Sequence, residues 1–259
     1  MSSNFHTVAI VSDVHFDSHH PAAWANFKRW CKDVEPSEVH FLGDIIYGAA
    51  VSRYPKDKPN LSRVAKEIKF AAREINAVVA GKKVITFGNH EARWRKRLLG
   101  DNLDEFEGCY GLGLADQFYA QGLSRSTHFF IETANIPGYF LGSGNARTLL
   151  RHGHQQFPFG PKHLAATMLQ KTPRVNQVIG HCHRGQIFCA TSLGETRFAV
   201  ANPCMQIPQD YAMDSDWQKG LTLLHFYGGK TVNECNKVTP QLIIMDSDGS
   251  FVEGGKLYA

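Results

Sequence analysis

The sequence predicts an α/β protein with a mixed β-sheet flanked by helices. Through residues 7–99, short β-branched apolar runs alternate with segments of helical periodicity, which is typical of βαβ units and a parallel sheet. The last two apolar runs, over 221–227 and 241–251, resemble an antiparallel pair. Polar clusters directly follow five of the runs, and ligands of open α/β sheets bind where parallel strands end.

Five segments account for the first half of the chain. "HTVAIVSD" predicts a buried strand, because a β-branched run ends there in polar residues. "PAAWANFKRWCKDV" predicts a helix that begins at Pro21, since proline is favoured at the first helical position. A second strand, "VHFLGD", precedes an amphipathic helix over 61–81 that Gly81 is expected to close. "KVITFGNHE" predicts a third strand that runs into a basic helix over 91–99.

The pattern is weaker after residue 100. Residues 101–150 are rich in Gly, Phe and Tyr without a clear period, which suits either a cap over a site or a surface elaboration that packs on the sheet. Strands are predicted in "ARTLLRHGH", "NQVIGHCH", "TRFAVANP", "LTLLHFY" and "QLIIMDSDGSF", and a helix in "PKHLAATMLQK". Because no repeat or linker divides the chain, we expect a single domain over 1–259, with 101–150 as an insertion or cap.

Composition narrows the class of protein. The 259 residues are 43% hydrophobic and 20% charged, enough apolar material for a sizeable core. We expect no signal peptide, since no basic segment followed by a long apolar stretch begins the sequence, and no membrane span, since no run approaches about 18 apolar residues. The six cysteines lack zinc-knuckle spacing, which favours reduced thiols and a cytoplasmic location. A net charge of +4 permits an anionic substrate without requiring nucleic acid.

Seven side chains at the predicted strand ends carry ligand atoms for a metal. They are Asp13, His15, Asp44, Asn89, His152, His181 and His183. This mixture of oxygen and nitrogen donors suits divalent metals such as Mn²⁺, Fe²⁺ and Zn²⁺, and no thiolate is needed. Seven ligands exceed what one tetrahedral ion takes, whereas two ions that share a carboxylate would use them. Taken singly, each cluster could be a turn or helix cap, and Asn89 with Glu91 could simply begin a helix.

Together the five clusters resemble the calcineurin-like metallophosphoesterase family. They stand here as "DVH" at 13–15, "GD" at 43–44, "GNHE" at 88–91, "HGH" at 152–154 and "GHCH" at 180–183, and "VANP" at 200–203 is a weaker sixth match. The resemblance covers about residues 7–204. It implies a mixed β-sheet sandwich flanked by helices, with the metal site at the carboxyl ends of the strands.

The resemblance also implies residue roles. Asp13, His15 and His183 would hold one ion, Asn89, His152 and His181 the other, and Asp44 would bridge them. The ions would be two divalent metals, Mn²⁺ first, with Fe, Zn, Ni or Mg as alternatives, and a hydroxide that bridges them would attack a phosphoester. The two remaining histidines of the motifs would not be ligands. His90 would face the leaving-group oxygen as the catalytic side chain, and His154 would stand beside the ligands or have a structural role.

The class of phosphoester is less constrained. Arg93 and Arg97 lie four residues apart on one predicted helix face, where with Asn89 they could bind phosphate. Arginines and aromatic residues beside such a site favour a phosphodiester, with a nucleic acid or nucleotide as partner, over a phosphomonoester. Tyr47 stands where the protein phosphatase branch usually has an aspartate, which weakens a phosphoprotein substrate.

A non-catalytic binding scaffold of the same fold is a further alternative. It is disfavoured because every expected ligand and His90 are present. The oligomeric state is not predicted.

Overall fold

The computed structural model describes residues 4–48, 64–99, 111, 113–132, 136–157, 162–208 and 216–259. Its helices and strands, in chain order, are β1 (Phe5–Val11), α1 (Pro21–Val34), β2 (Glu38–Leu42), α2 (Val64–Asn76), β3 (Lys82–Thr86), α3 (Asn89–Leu99), α4 (Leu114–Ala120), β4 (Thr127–Phe130), β5 (Tyr139–Leu141), β6 (Thr148–Arg151), α5 (Leu164–Lys171), β7 (Asn176–Ile179), β8 (Gln186–Ser192), β9 (Glu195–Ala201), β10 (Gly220–Tyr227), β11 (Lys237–Ile244), β12 (Phe251–Glu253) and β13 (Lys256–Tyr258).

Two mixed sheets form the framework. The first has the order β11-β10-β1-β2-β3-β4, in which β1 to β4 are parallel and β10 and β11 are antiparallel. The second has the order β5-β6-β7-β9-β8, with β6, β7 and β9 parallel and an antiparallel strand at each edge. The predicted mixed α/β architecture and the antiparallel pairing of β10 with β11 are therefore confirmed.

The alternation of side chains in β1 explains how the layers stack. Val8 and Ile10 point between the two sheets, where they pack with apolar residues of both. Ala9 and Val11 point the other way, against the apolar faces of α1 and α2. The outer face of the second sheet is covered by α5, whose Leu164 belongs to a third cluster. The layers are helix, sheet, sheet and helix, and no described helix is long and apolar enough to span a membrane.

The second predicted helix ends earlier than expected. It was predicted to run to Gly81, but α2 ends at Asn76, and 61–63 lie outside the described residues. After Asn76 the chain turns more tightly, since the amide of Val78 donates to the carbonyl of Ile75, and Val78 lies in the core, where it is 2% exposed. Glycine at 81 serves a close approach instead, since a Cβ there would lie 2.7 Å from the carbonyl oxygen of Ser37. The assignment of Gly81 as a helix cap is wrong.

The segment 101–150 contributes regular structure to the framework. Within its described residues, α4 packs near α2, β4 extends the first sheet beside β3, and β5 pairs with β6 in the second. Residues 101–110, 112 and 133–135 lie outside the described part of the chain. The single-domain assignment and a role of this segment as an insertion or cap stay predictions.

Candidate metal centre

The seven predicted ligands lie directly after five strands. With the strand that each follows, they are Asp13 and His15 (β1), Asp44 (β2), Asn89 (β3), His152 (β6), and His181 and His183 (β7). Two contacts join the sheets at this point. The main-chain amide of His181 donates to Oδ2 of Asp13 at 2.9 Å, and Nδ1 of His152 is 2.8 Å from the carbonyl oxygen of Leu42. The polar clusters of both sheets therefore meet in one place, as predicted.

The backbone at these positions is not extended. Residues two apart face the same side in extended chain, and on that ground we expected Asp13 to pair with His15, and His181 with His183. Their φ angles are instead positive, at 52°, 46°, 69° and 56°, and Asp44 is at 52°. The extended-backbone expectation is wrong. Positive φ is uncommon outside glycine and collects at functional sites, and five of the seven such non-glycine residues in the described chain are predicted ligands.

Two groups of side chains could each hold a cation. Asp13, His15 and His183 place one ligand atom each within 4.8 Å of one another, and Nε2 of His183 is 3.1 Å from Oδ1 of Asp13. Asp44, His152 and His181 form a second such group. All are buried except the partly exposed His181, so the surroundings are poor in water and attraction between a cation and these carboxylates is strong.

Asp44 lies between the two groups. Its Oδ2 is 4.0 Å from Nε2 of His15 and 3.3 Å from Nε2 of His152. This is the position that a carboxylate shared by two ions would occupy. A further grouping of Asp44 with His15 and His90 was not anticipated, because His90 was predicted to face the substrate.

The donor atoms at His152 fit a bound cation. Its Nδ1 faces the Leu42 carbonyl, which only accepts, so Nδ1 carries the proton and Nε2 the lone pair. That lone pair points at Oδ2 of Asp44 and lies 3.1 Å from Oδ1 of Asn89. Nε2 thus faces two oxygen acceptors, and either a second proton on His152 or a metal ion satisfies all three atoms. Although burial opposes the charged form, the Asp44 carboxylate accordingly raises the pKa of His152 to about 10.

The Asp13 pair behaves in the same way. Burial alone would raise the pKa of Asp13, but the adjacent His183 overrides it and lowers that pKa. The same pairing raises the pKa of His183 well above its usual value, against the effect of burial. Each imidazole thus competes for a proton at the atom that would otherwise face a metal.

Glu91 holds the loop after β2 in place, a role that the sequence does not reveal. The sequence predicts it only as a first-turn acid of the helix, yet it is 2% exposed. Its carboxylate accepts hydrogen bonds from the main-chain amides of Gly88, Asp44, Ile45 and Ile46 at 2.7–3.0 Å. Burial, and then the charge of Asp44, raise the pKa of Glu91 to about 7. Glu91 therefore ties the loop that carries Asp44 to the start of α3.

His90 lies beside the ligands. Its Nδ1 is 2.6 Å from the carbonyl oxygen of Tyr47, and its Nε2 is 2.9 Å from Nη2 of Arg93. Its main-chain amide donates to Oδ1 of Asp44 at 2.8 Å. Arg93 thus lies at the site, as its predicted role requires, whereas the side chain of Arg97 lies outside the described part of the chain.

The remaining histidine and cysteine of the motifs lie next to the groups. The His154 ring is 5.4 Å from that of His152 and 6.1 Å from that of His181, measured between centroids. The Cys182 thiol is directed at the carbonyl oxygen of Phe157, 3.7 Å away. Burial raises the pKa of Cys182 to about 12, which leaves it a protonated thiol that packs against the core cluster around α5.

Comparisons with known proteins agree with this arrangement at the level of the family. The model of the family described as calcineurin-like phosphoesterase matches residues 6–185. Among solved structures, the chain is similar to Vacuolar Protein Sorting 29 from Cryptosporidium parvum, with 14% identity, a TM-score of 0.44, and 98% of this chain and 94% of that chain covered. No curated protein matches the chain significantly.

Two further solved structures are similar over most of their length. Yfce, a phosphoesterase from E. coli, has 18% identity and a TM-score of 0.42, with 90% of this chain and 98% of that chain covered. Vps29 from Entamoeba histolytica complexed with Zn²⁺ has 13% identity and a TM-score of 0.35, with 92% and 98% covered. The family match spans more than half of the chain and includes all five polar clusters of the predicted metal site. The chain belongs to the calcineurin-like phosphoesterase family.

Proposed function

We propose that the chain is a metal-dependent phosphoester hydrolase. The observation that supports this most strongly is the convergence of Nε2 of His152 with the oxygens of Asp44 and Asn89, an arrangement that requires either a proton on Nε2 or a metal ion. Their nitrogen and oxygen donors suit Mn²⁺, with Fe, Zn, Ni and Mg as alternatives. The grouping of the ligands supports two ions, one held by Asp13, His15 and His183 and one by Asn89, His152 and His181, with Asp44 within reach of both.

The chemistry that divalent ions supply at such a site is Lewis acidity: acidification of water and neutralisation of charge on phosphoryl oxygens. The chain's own residues would position the substrate. The Arg93 guanidinium, which contacts His90, would bind a phosphoryl oxygen at the edge of the site, and the Asn89 amide would offer a donor from the start of α3. Both groups favour an anionic ester over a neutral one.

His90 would serve the leaving group. Nδ1 faces the Tyr47 carbonyl, and Nε2 accepts a hydrogen bond from Nη2 of Arg93. Transfer of the Arg93 guanidinium to a phosphoryl oxygen of the substrate would release Nε2 for the departing oxygen. Burial lowers the pKa of His90 to about 4, although the Asp44 carboxylate opposes this. The imidazole is therefore neutral near pH 7 until the negative charge of a bound phosphoester favours its protonation. In that state Nε2 can donate a proton to the departing alkoxide.

The preferred substrate is a phosphodiester, with a phosphomonoester as the alternative. Tyr47 lies within 5.7 Å of the His90 ring and 5.8 Å of the His15 ring, between centroids. It offers an aromatic surface where a second ester substituent could rest. A cytoplasmic location is also proposed, because the five described cysteines are free thiols.

The test compares p-nitrophenyl phosphate with its bis-ester in the presence of Mn²⁺, with and without a chelator. We expect metal-dependent release from both and a higher kcat/KM for the bis-ester. A higher value for the monoester would favour a phosphomonoesterase. Absence of metal-dependent release from either ester, and from nucleic acid, would favour a non-catalytic scaffold.

A further inference from the structure

A basic groove of about 500 Å³ lies beside α2 and the end of α4. Lys66, Lys69 and Arg73 line it from α2 and are exposed, and Gln121 and Gly122 line the opposite side. The three cations are three and four residues apart, so they project from one face of the helix. No acidic side chain is among the described residues that line the groove.

The floor of the groove is aromatic. The half-buried ring of Phe70 lines the groove, and the guanidinium carbon of Arg73 is 4.7 Å from its centroid. The Glu74 carboxylate pairs with Arg73 at 3.0 Å and with Nζ of Lys28 at 2.6 Å. Lys66 and Lys69 keep the groove positive. A flat ring and a stacked guanidinium flanked by lysines form a surface on which planar bases can stack.

The helix that lines the groove packs against loops of the metal centre. The Phe70 ring is 5.9 Å from that of Phe16 and 5.5 Å from that of His19, between centroids, and both residues belong to the loop that follows His15. One turn earlier on α2, the Glu67 carboxylate accepts the main-chain amides of Tyr47 and Gly48 in the loop that follows Asp44. The helix that carries the cations thus contacts two of the ligand-bearing loops.

We propose that this groove binds single-stranded nucleic acid and leads its phosphodiester backbone towards the metal centre. The second part rests on the proposed function, whereas binding in the groove does not. The row from Lys66 to Arg73 is about 10 Å long at the helical rise of about 1.5 Å per residue. That equals about three nucleotides at the stacked spacing of about 3.4 Å per strand. The regular spacing of phosphates and stacked bases in a single strand fits this row of cations and its aromatic ring better than the irregular charge spacing of an acidic peptide.

The test measures binding without turnover. Fluorescence anisotropy of a labelled oligothymidylate of about 12 nucleotides, within the usual range of single-strand sites, is recorded in excess EDTA at several salt concentrations. The groove variant combines Lys66→Ala, Lys69→Ala and Arg73→Ala. The control combines Arg174→Ala, Lys230→Ala and Lys237→Ala, which removes the same charge from exposed positions elsewhere. Circular dichroism confirms that each variant is folded.

The groove variant is expected to bind at least about tenfold more weakly than the control. The slope of log K against log salt should fall by about two, since each lost phosphate contact removes about 0.7 for a single strand. Equal binding by the two variants would overturn the proposal. Displacement of the oligonucleotide by an equal concentration of an acidic phosphopeptide would also overturn it and assign the groove to a protein partner. A wild-type chain that binds the oligonucleotide but hydrolyses no phosphoester would contradict the proposed function alone.

Discussion

Main-chain contacts fix the side chains of the metal centre. The Leu42 carbonyl sets the proton on Nδ1 of His152, the His90 amide holds one oxygen of Asp44, and the Tyr47 carbonyl orients the His90 ring. These partners hold each ring and carboxylate in one orientation before a substrate arrives. Such an arrangement lowers the reorganisation needed during catalysis.

Replacement of His90 separates catalysis from metal binding. In His90→Ala, we expect kcat to fall by about 10²–10⁴, the usual contribution of a positioned acid, while the metal content measured by atomic emission stays unchanged. His128→Ala, a change at an exposed histidine of β4, is the control and should keep full activity. Loss of metal from His90→Ala would instead make His90 a ligand, as its grouping with His15 and Asp44 allows.

The sequence predicts the candidate metal ligands better than the residues and backbone conformations that hold those ligands in position. The seven ligands could be proposed because histidine, aspartate and asparagine recur beside glycine after apolar runs. The role of Glu91 could not be predicted, because the sequence does not distinguish a glutamate that accepts main-chain hydrogen bonds from one that faces water. The left-handed backbone at Asp13 and His15 was also hidden, since neither residue type requires it.

The loop after β2 is held by carboxylates from two helices. Glu91 of α3 accepts the amides of Asp44, Ile45 and Ile46, and Glu67 of α2 accepts those of Tyr47 and Gly48. Both carboxylates are buried, at 2% and 3% exposure. The position of Asp44 therefore depends on the docking of α2 and α3 as well as on the strand that precedes it.

The titration of Glu67 should be visible in the stability of the chain. Burial raises the pKa of Glu67 from 4.5 to about 7. Between these values the folded state binds more protons than the unfolded state, so this contribution to stability is complete below about pH 4.5 and is lost as the pH rises through 7. Relative to wild type, Glu67→Gln should gain up to about 3 kcal/mol in free energy of unfolding between pH 5 and pH 8.

Urea unfolding of both chains in EDTA at several pH values measures this difference. The titration of groups distant from Glu67 is the same in both chains and cancels. Glu35→Gln, a change at an exposed carboxylate after α1, is the control and should follow wild type. A Glu67→Gln chain whose stability stays parallel to that of wild type from pH 5 to pH 8 would show that Glu67 does not titrate in this range.

Whether a strand or helix could be predicted from the sequence depended on its pattern of burial. The parallel core strands and α1 were predicted because one face or both are apolar at a clear period. The strand β8 was missed, since Ile187 and Phe188 on opposite faces are 43% and 42% exposed and no alternation marks it. The strands β4, β5, β12 and β13 have three or four residues each, too few for a period to appear.

The whole molecule assembles the site from two sheets. The first supplies Asp13, His15, Asp44 and Asn89 from its strand ends, and the second supplies His152, His181 and His183. The sequence predicts that these clusters end strands, but it does not reveal that β10 inserts beside β1 or that the ligand-bearing strands divide between two sheets. Those pairings join residues far apart in the chain and depend on the packing of the inter-sheet core.

Both halves of this centre are proposed to act together as a two-metal phosphoester hydrolase. Titration of the chelator-stripped chain with Mn²⁺, while the hydrolysis of bis-p-nitrophenyl phosphate is followed, tests this cooperation. We predict no hydrolysis without metal, a rate that rises until two ions are bound per chain, and no rise in Asp44→Asn, whose carboxylate lies between the two ligand groups. Hydrolysis by the stripped chain, or saturation with metal without release from this ester or p-nitrophenyl phosphate, would contradict the account.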